Sequence, residues 1–221
     1  MRYRGHYGND SGERRGISHV NRNKYSAGAV KFALWFMEFR KETQLLMQGK
    51  SFDDIKKISA EENVFGASTP ARAAMIYSTV TARIQSLDPS FYQLFTDSDV
   101  STQKLYALTG SFAHDTLFFD FMYEVVREKM IIGTGILSDA DIRIFFKDKQ
   151  AQDENVAKWT DQTLQRLGRS YKTQLFEAGL LDDQSRATER KILKPILDPV
   201  FKHWLEDYGY GQIAKAMEGI R

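Results

Sequence analysis

The sequence predicts an all-α protein built from two packed helical subdomains, and three observations carry that prediction. From Ala27 onward, apolar residues recur at the three-and-four spacing of a buried helix face nearly throughout. Helix-start signals punctuate the pattern: Ser51 with Asp54, Thr69 before Pro70, Asp88 before Pro89, and Ser138 with Asp141. Only Arg190–Ile196 reads as a short strand or hairpin, because Pro195 opposes any helix that would include it.

Taken in order, residues 1–24 carry four glycines among polar and basic residues and read as a flexible basic arm. Such an arm is either a mobile tail or a wrap around a phosphate backbone. The N-terminal bundle is expected over 25–135. Its first helix places Phe32, Phe36, Phe39, Thr43 and Leu46 on one face and ends at Gly49. A short helix follows through Ile55 and Ile58, and another runs from Pro70 through Ile84. A short aromatic segment then contains Phe91, Tyr92 and Phe95. Two helices are expected near 100–112 and 115–132. The second is apolar nearly all round, with only Asp120, Glu124, Arg127 and Glu128 forming a polar sector, so it should be buried.

The C-terminal subdomain is expected over 136–221, with helices near 139–151, 155–178, 199–207 and 210–219. Helix, helix, then a basic strand over 188–196 has the layout of a winged-helix module, with the second helix as the recognition element. That helix has two faces. Val156, Leu164, Leu167, Tyr171, Leu175 and Ala178 gather on one side, and Lys158, Arg166, Arg169 and Lys172 on the other. An apolar face buries the helix; the basic face is either a solvated surface or a site for a large anion such as nucleic acid. Trp159 lies at the edge of the basic face, where it packs on a neighbouring helix or touches a sugar.

Composition bounds the remaining readings. The chain has 221 residues, 42% of them hydrophobic, and a net charge of +2. The balance is too mild for a protein that is polyanion-binding all over. Charge is local instead: residues 1–24 hold six basic residues, Arg14 and Arg15 among them, against two acidic ones, a net of +4 that leaves −2 for the rest. There is no cysteine, which excludes disulfides, thiolate zinc sites and cysteine nucleophiles and suits a cytoplasmic protein. The longest apolar run, Phe32–Met37, is far short of the ~20 residues of a membrane span. The N-terminus lacks the apolar stretch of a secretory signal.

Motifs for catalysis are missing. Gly209–Ala214 has the G-x-G-x-x-A spacing of a dinucleotide site, but a helix precedes it and the sequence ends at Arg221, before the acidic residue that such a site needs. His6, His19, His114 and His203 show no metal-binding spacing, so neither metal nor cofactor is expected. His114-Asp115 is better explained by Asp115 as a helix cap than as a catalytic dyad. No nucleophile elbow, P-loop or kinase signature is present, and nothing argues for an enzyme.

The sequence resembles a known family. Lys24–Gly28, the run Trp35–Arg40, Glu62–Phe65 and above all Leu117–Glu124 look like the BrxA family of bacteriophage-exclusion (BREX) defence systems. Ala157–Trp159 and Glu177–Leu181 fit the same pattern, and the likeness runs from about residue 24 to about 205. The resemblance implies a small cytoplasmic helical component of a multi-protein phage-defence locus, similar in organisation to the antitermination factor NusB. It also implies contact with nucleic acid and supplies no catalytic residues.

Together these readings give a non-enzymatic subunit that binds nucleic acid, double-stranded DNA ahead of RNA. Its candidate contacts are Lys158, Arg166, Arg169, Lys172, Lys191 and Lys194, with Arg14 and Arg15 from the arm. Other BREX subunits are expected partners and a monomer is the expected state. The alternative is an adaptor whose basic face docks an acidic partner subunit.

Overall fold

Side-chain caps decide where most helices begin. The computed structural model describes residues 23–182 and 188–221. Ser51 and Asp54 form a reciprocal capping box that opens α2 (Phe52–Glu62). Thr69 accepts from the Arg72 N–H and places Pro70 at the head of α3 (Pro70–Gln85). Asp99 caps α5 (Val100–His114) and Asp115 caps α6 (Thr116–Phe121). Ser138 and Asp141 form a second capping box at α8 (Asp139–Gln152), and Asp198 caps α11 (Pro199–Asp207). The remaining helices are α1 (Phe36–Met47), α4 (Phe91–Asp97), α7 (Arg127–Ile131), α9 (Glu154–Ala157), α10 (Asp161–Glu177) and α12 (Gly211–Glu218). The fold is all-α, with one small sheet.

Two expectations about helices are corrected. The first helix does not include Phe32: residues 28–31 make a single 3-10 turn, and Trp35, in the left-handed region at φ 52°, redirects the chain into α1. The expected helix over 155–178 is two helices. Thr160 is extended, and its hydroxyl accepts from the Thr163 N–H, so α10 starts afresh after the single turn of α9. In addition, the buried helix expected over 115–132 changes pitch: Met122–Val126 forms a π turn between α6 and α7.

One contiguous cluster of buried side chains runs from Ala29 to Met217. Around α5, Tyr106 meets Phe201 at 4.5 Å, Trp204 at 5.2 Å and Phe91 at 5.9 Å between ring centroids, locking α4 and α11 onto it. On the other side, Phe118 of α6 stacks on Tyr171 of α10 at 4.4 Å. Leu167, Tyr171 and Leu175 are fully buried, so the apolar face expected for this helix is the one that anchors it.

Polar hubs join what the aromatics do not. Lys149 of α8 reaches Glu124 Oε1 at 2.7 Å and Asp120 Oδ2 at 3.7 Å, while the Tyr25 hydroxyl donates to Asp120 at 2.6 Å. Glu124 lies within the π turn. Burial opposes the Lys149 charge, but the hydrogen bond and charge of Glu124 outweigh it and raise its pKa.

The strand expected near 188–196 is present as β2 (Glu189–Lys191). It pairs antiparallel with β1 (Ile136–Ser138), Leu137 standing opposite Arg190. Leu181 bridges Ile192 on the other side. Strand β1, helices α8, α9 and α10, the Leu181 bridge and strand β2 thus follow one another along the chain, an order that resembles a winged-helix layout. Among the described residues no helix is long and apolar enough to cross a membrane.

Candidate nucleic-acid interface

α8 and α10 pack closely because α10 carries a glycine where they meet. A Cβ at Gly168 would lie 2.8 Å from Ile142 Cγ2, inside contact distance. Gly168→Val should therefore push the two helices apart and cost about 1–3 kcal/mol; a urea titration in which the variant matches wild type would contradict this close approach.

Above that contact lies a cleft of about 400 Å³, with Ile142, Phe146 and Leu164 in its floor and Arg143, Lys147, Gln165 and Arg169 at its rim. Arg143 and Lys147 are exposed and one turn apart on α8; Arg166 and Arg169 are exposed and one turn apart on α10. The structure thus brings two basic pairs to neighbouring helices. Asp161 at the start of α10 and Asp139 at the start of α8 also line the cleft.

The residues expected from sequence fall into four groups. Arg166 and Arg169 stand on the exposed face of α10, as expected. Lys172 is half-buried and tied to Asp139 Oδ1 at 2.6 Å, and the same oxygen takes Arg190 Nη1 at 3.2 Å. Burial would raise the Asp139 pKa, but hydrogen bonds and charge from Lys172 and Arg190 hold it below the usual carboxylate range. Lys172 therefore belongs to a knot that fastens β2 and α10 to the head of α8. This corrects its expected place on the open stripe.

Lys158 is exposed but caps α9, off the axis of α10. Lys191 alternates with buried Arg190 along β2, so it points to the opposite side of the sheet from the Asp139 knot, and Lys194 is exposed beyond the strand. Arg14 and Arg15 lie outside the described residues. Trp159 is half-buried and packs against the core, and its carbonyl accepts from the Gln150 side chain at 3.2 Å.

Arg143 and Lys147 are not among the contacts expected from sequence, which placed the recognition face on the second helix. Their i,i+4 spacing, on a helix preceding a basic-faced one, was the available signal. Among the described residues, no group of three or more His, Asp or Glu is placed to hold a metal ion.

Comparison with known proteins adds the lineage of this arrangement. A sequence model of the BrxA family matches residues 23–209. The chain is 36% identical over 179 residues to a BREX protein BrxA of Bacillus cereus (strain H3081.97), covering 81% of this chain and 88% of that one. It is 23% identical over 160 residues to a BREX protein BrxA of Paramagnetospirillum magneticum (strain ATCC 700264 / AMB-1), covering 72% and 80%. A crystal structure of an uncharacterized protein from Magnetospirillum magneticum superposes with a TM-score of 0.75 at 20% identity, over 89% of this chain and all of that one. That last likeness concerns the fold.

Proposed function

The chain belongs to the BrxA family of BREX phage-defence proteins, and from that premise we propose that it is a non-enzymatic subunit that lays α8 and α10 on the phosphate backbone of double-stranded DNA. The observation that carries this reading is the pairing of Arg143 and Lys147 with Arg166 and Arg169 on two exposed helix faces, beside a strand pair in winged-helix order. None of the four side chains is held in a salt bridge among the described residues, unlike Lys172 and Arg190. Their charge is available to an incoming polyanion.

Guanidinium groups at this spacing make phosphate contacts, so binding should be steep in salt and weak in sequence preference. Arg166→Glu combined with Arg169→Glu should weaken binding to a duplex at least ~10-fold at about 50 mM salt and flatten the log K against log salt slope by about two units. The measurement is a titration of labelled duplex at two salt concentrations, with far-ultraviolet circular dichroism to verify the helix content. Unchanged binding with an intact spectrum would remove α10 from the interface. If wild type itself fails to bind duplex at the lower salt, the basic face serves an acidic partner subunit of the same defence system instead. The cytoplasm is the compartment consistent with this role.

A further inference from the structure

Behind α10, on the side away from the basic cleft, the structure holds a second cavity of about 440 Å³ with different chemistry. Its walls come from the 23–32 segment, α3, α5, α6 and the inner face of α10. Phe32 gives it aromatic surface, the fully buried Phe118 closes its inner wall, and Arg83 and Lys24 give it positive charge.

Arg83 is 3% exposed. Its guanidinium donates to the carbonyls of Ala33 at 3.0 Å and Leu34 at 2.8 Å and to Gln174 Oε1 at 3.1 Å. These three bonds account for three of its five N–H donors. No carboxylate touches it; Asp115 and Glu177 act on it only at longer range. Among the described residues carbonyl oxygens are its only direct partners, and Arg83 and Lys24 outnumber Asp115 among the charged groups lining the cavity, so the space keeps a positive balance.

A second observation is independent of that charge. Thr116, also 3% exposed, lines the cavity with a hydroxyl that has no hydrogen-bond partner. A buried hydroxyl without a partner is costly in an empty fold and satisfied by a polar ligand. Asp115 beside it already accepts from the Phe118 N–H at 3.1 Å and has acceptor capacity left for a donor on a ligand.

We propose that this cavity binds a nucleoside monophosphate. The phosphate faces Arg83 and Lys24, the base lies against Phe32, and Thr116 and Asp115 meet its polar edge. The volume is in the range of pockets that enclose such molecules. A purely apolar ligand would leave Thr116 unpaired, and inorganic phosphate would leave the aromatic walls empty.

The test is calorimetric titration and thermal melting of the full chain with each of the four ribonucleoside monophosphates and with inorganic phosphate. At least one nucleotide should raise Tm by about 5–10 °C at a 100-fold excess over its Kd, with phosphate giving little. Thr116→Val should weaken that nucleotide about 5–10-fold while raising the Tm of the unliganded protein, because it removes an unpaired hydroxyl. Lys24→Ala should also weaken it, whereas the Arg166→Glu, Arg169→Glu variant should bind it as wild type does. Absence of binding by all four nucleotides overturns the proposal. So does binding that survives both Thr116→Val and Lys24→Ala, or that disappears with the α10 reversal, since either outcome places the nucleotide elsewhere.

Discussion

Arg83→Met should destabilise the protein by about 3–5 kcal/mol, because three buried acceptors lose their donor together. Methionine fills much of the arginine stem but supplies no donor. The carbonyls of Ala33 and Leu34 and the Gln174 side chain lose their shared partner in one step. Each becomes a desolvated acceptor, and such groups cost about 1–3 kcal/mol apiece when left unpaired. The 32–35 segment has few substitutes. Phe32 O takes the Ser170 hydroxyl at 2.6 Å and the Leu34 N–H donates to Glu177 at 2.7 Å, so α10 still holds the segment from one side only.

Burial lowers the Arg83 pKa to about 10, which leaves it charged at neutral pH. Arg83→Lys keeps the charge but offers one compact ammonium for three diverging acceptors, and should recover only part of the loss. Urea unfolding followed at 222 nm measures both variants. A cost under ~1 kcal/mol for Arg83→Met would mean the segment is held by Phe32 and Trp35 packing instead.

Local chemistry was legible in the sequence, and long-range chemistry was not. Ser51 with Asp54, Thr69 before Pro70, and Ser138 with Asp141 each cap a helix where expected, because a cap is decided within four residues. The buried faces of α6 and α10 followed from the apolar pattern for the same reason. The break at Thr160 was missed although threonine is a good cap, since the apolar stripe continues in phase from Val156 to Leu164 across it.

β1 was missed because Ile136–Ser138 is three residues long and exists only through its pairing with β2, more than fifty residues away. The same distance hid the fate of Lys172. A helical wheel shows which side a lysine faces, not that Asp139 from the head of α8 waits there. Arg83 has no local signal in the sequence, because its acceptors lie in the 33–34 turn and on α10.

Glu42 is a second residue whose role only the tertiary structure reveals, and it makes stability depend on pH. It sits in α1 with no exposure; Oε1 accepts from the Thr81 hydroxyl at 2.5 Å, and Oε2 has no partner. Burial pushes its pKa from 4.5 up to about 7, with the Thr81 hydrogen bond offsetting a small part. In the unfolded chain the carboxyl ionises near 4.5, while in the folded protein it keeps its proton until about 7. The unfolded state therefore binds fewer protons over that window, and stability falls as pH rises through it. Below 4.5 both states are protonated and nothing is lost; above about 7 both are ionised and the loss is complete.

From pH 5 to pH 8 the loss amounts to about 2.5 kcal/mol. Asp115, raised from 3.8 to about 6 chiefly by burial, contributes in the same direction at lower pH. The comparison with Glu42→Gln separates the two, because the amide does not titrate while Asp115 remains. Relative to wild type, the variant should gain about 2.5 kcal/mol between pH 5 and 8, whatever its constant offset from placing an amide where Oε2 was. Urea titrations at pH 5, 6, 7 and 8 give the difference curve. If wild type and Glu42→Gln run parallel across that range, Glu42 ionises at an ordinary pKa and the α1–α3 contact is open to water.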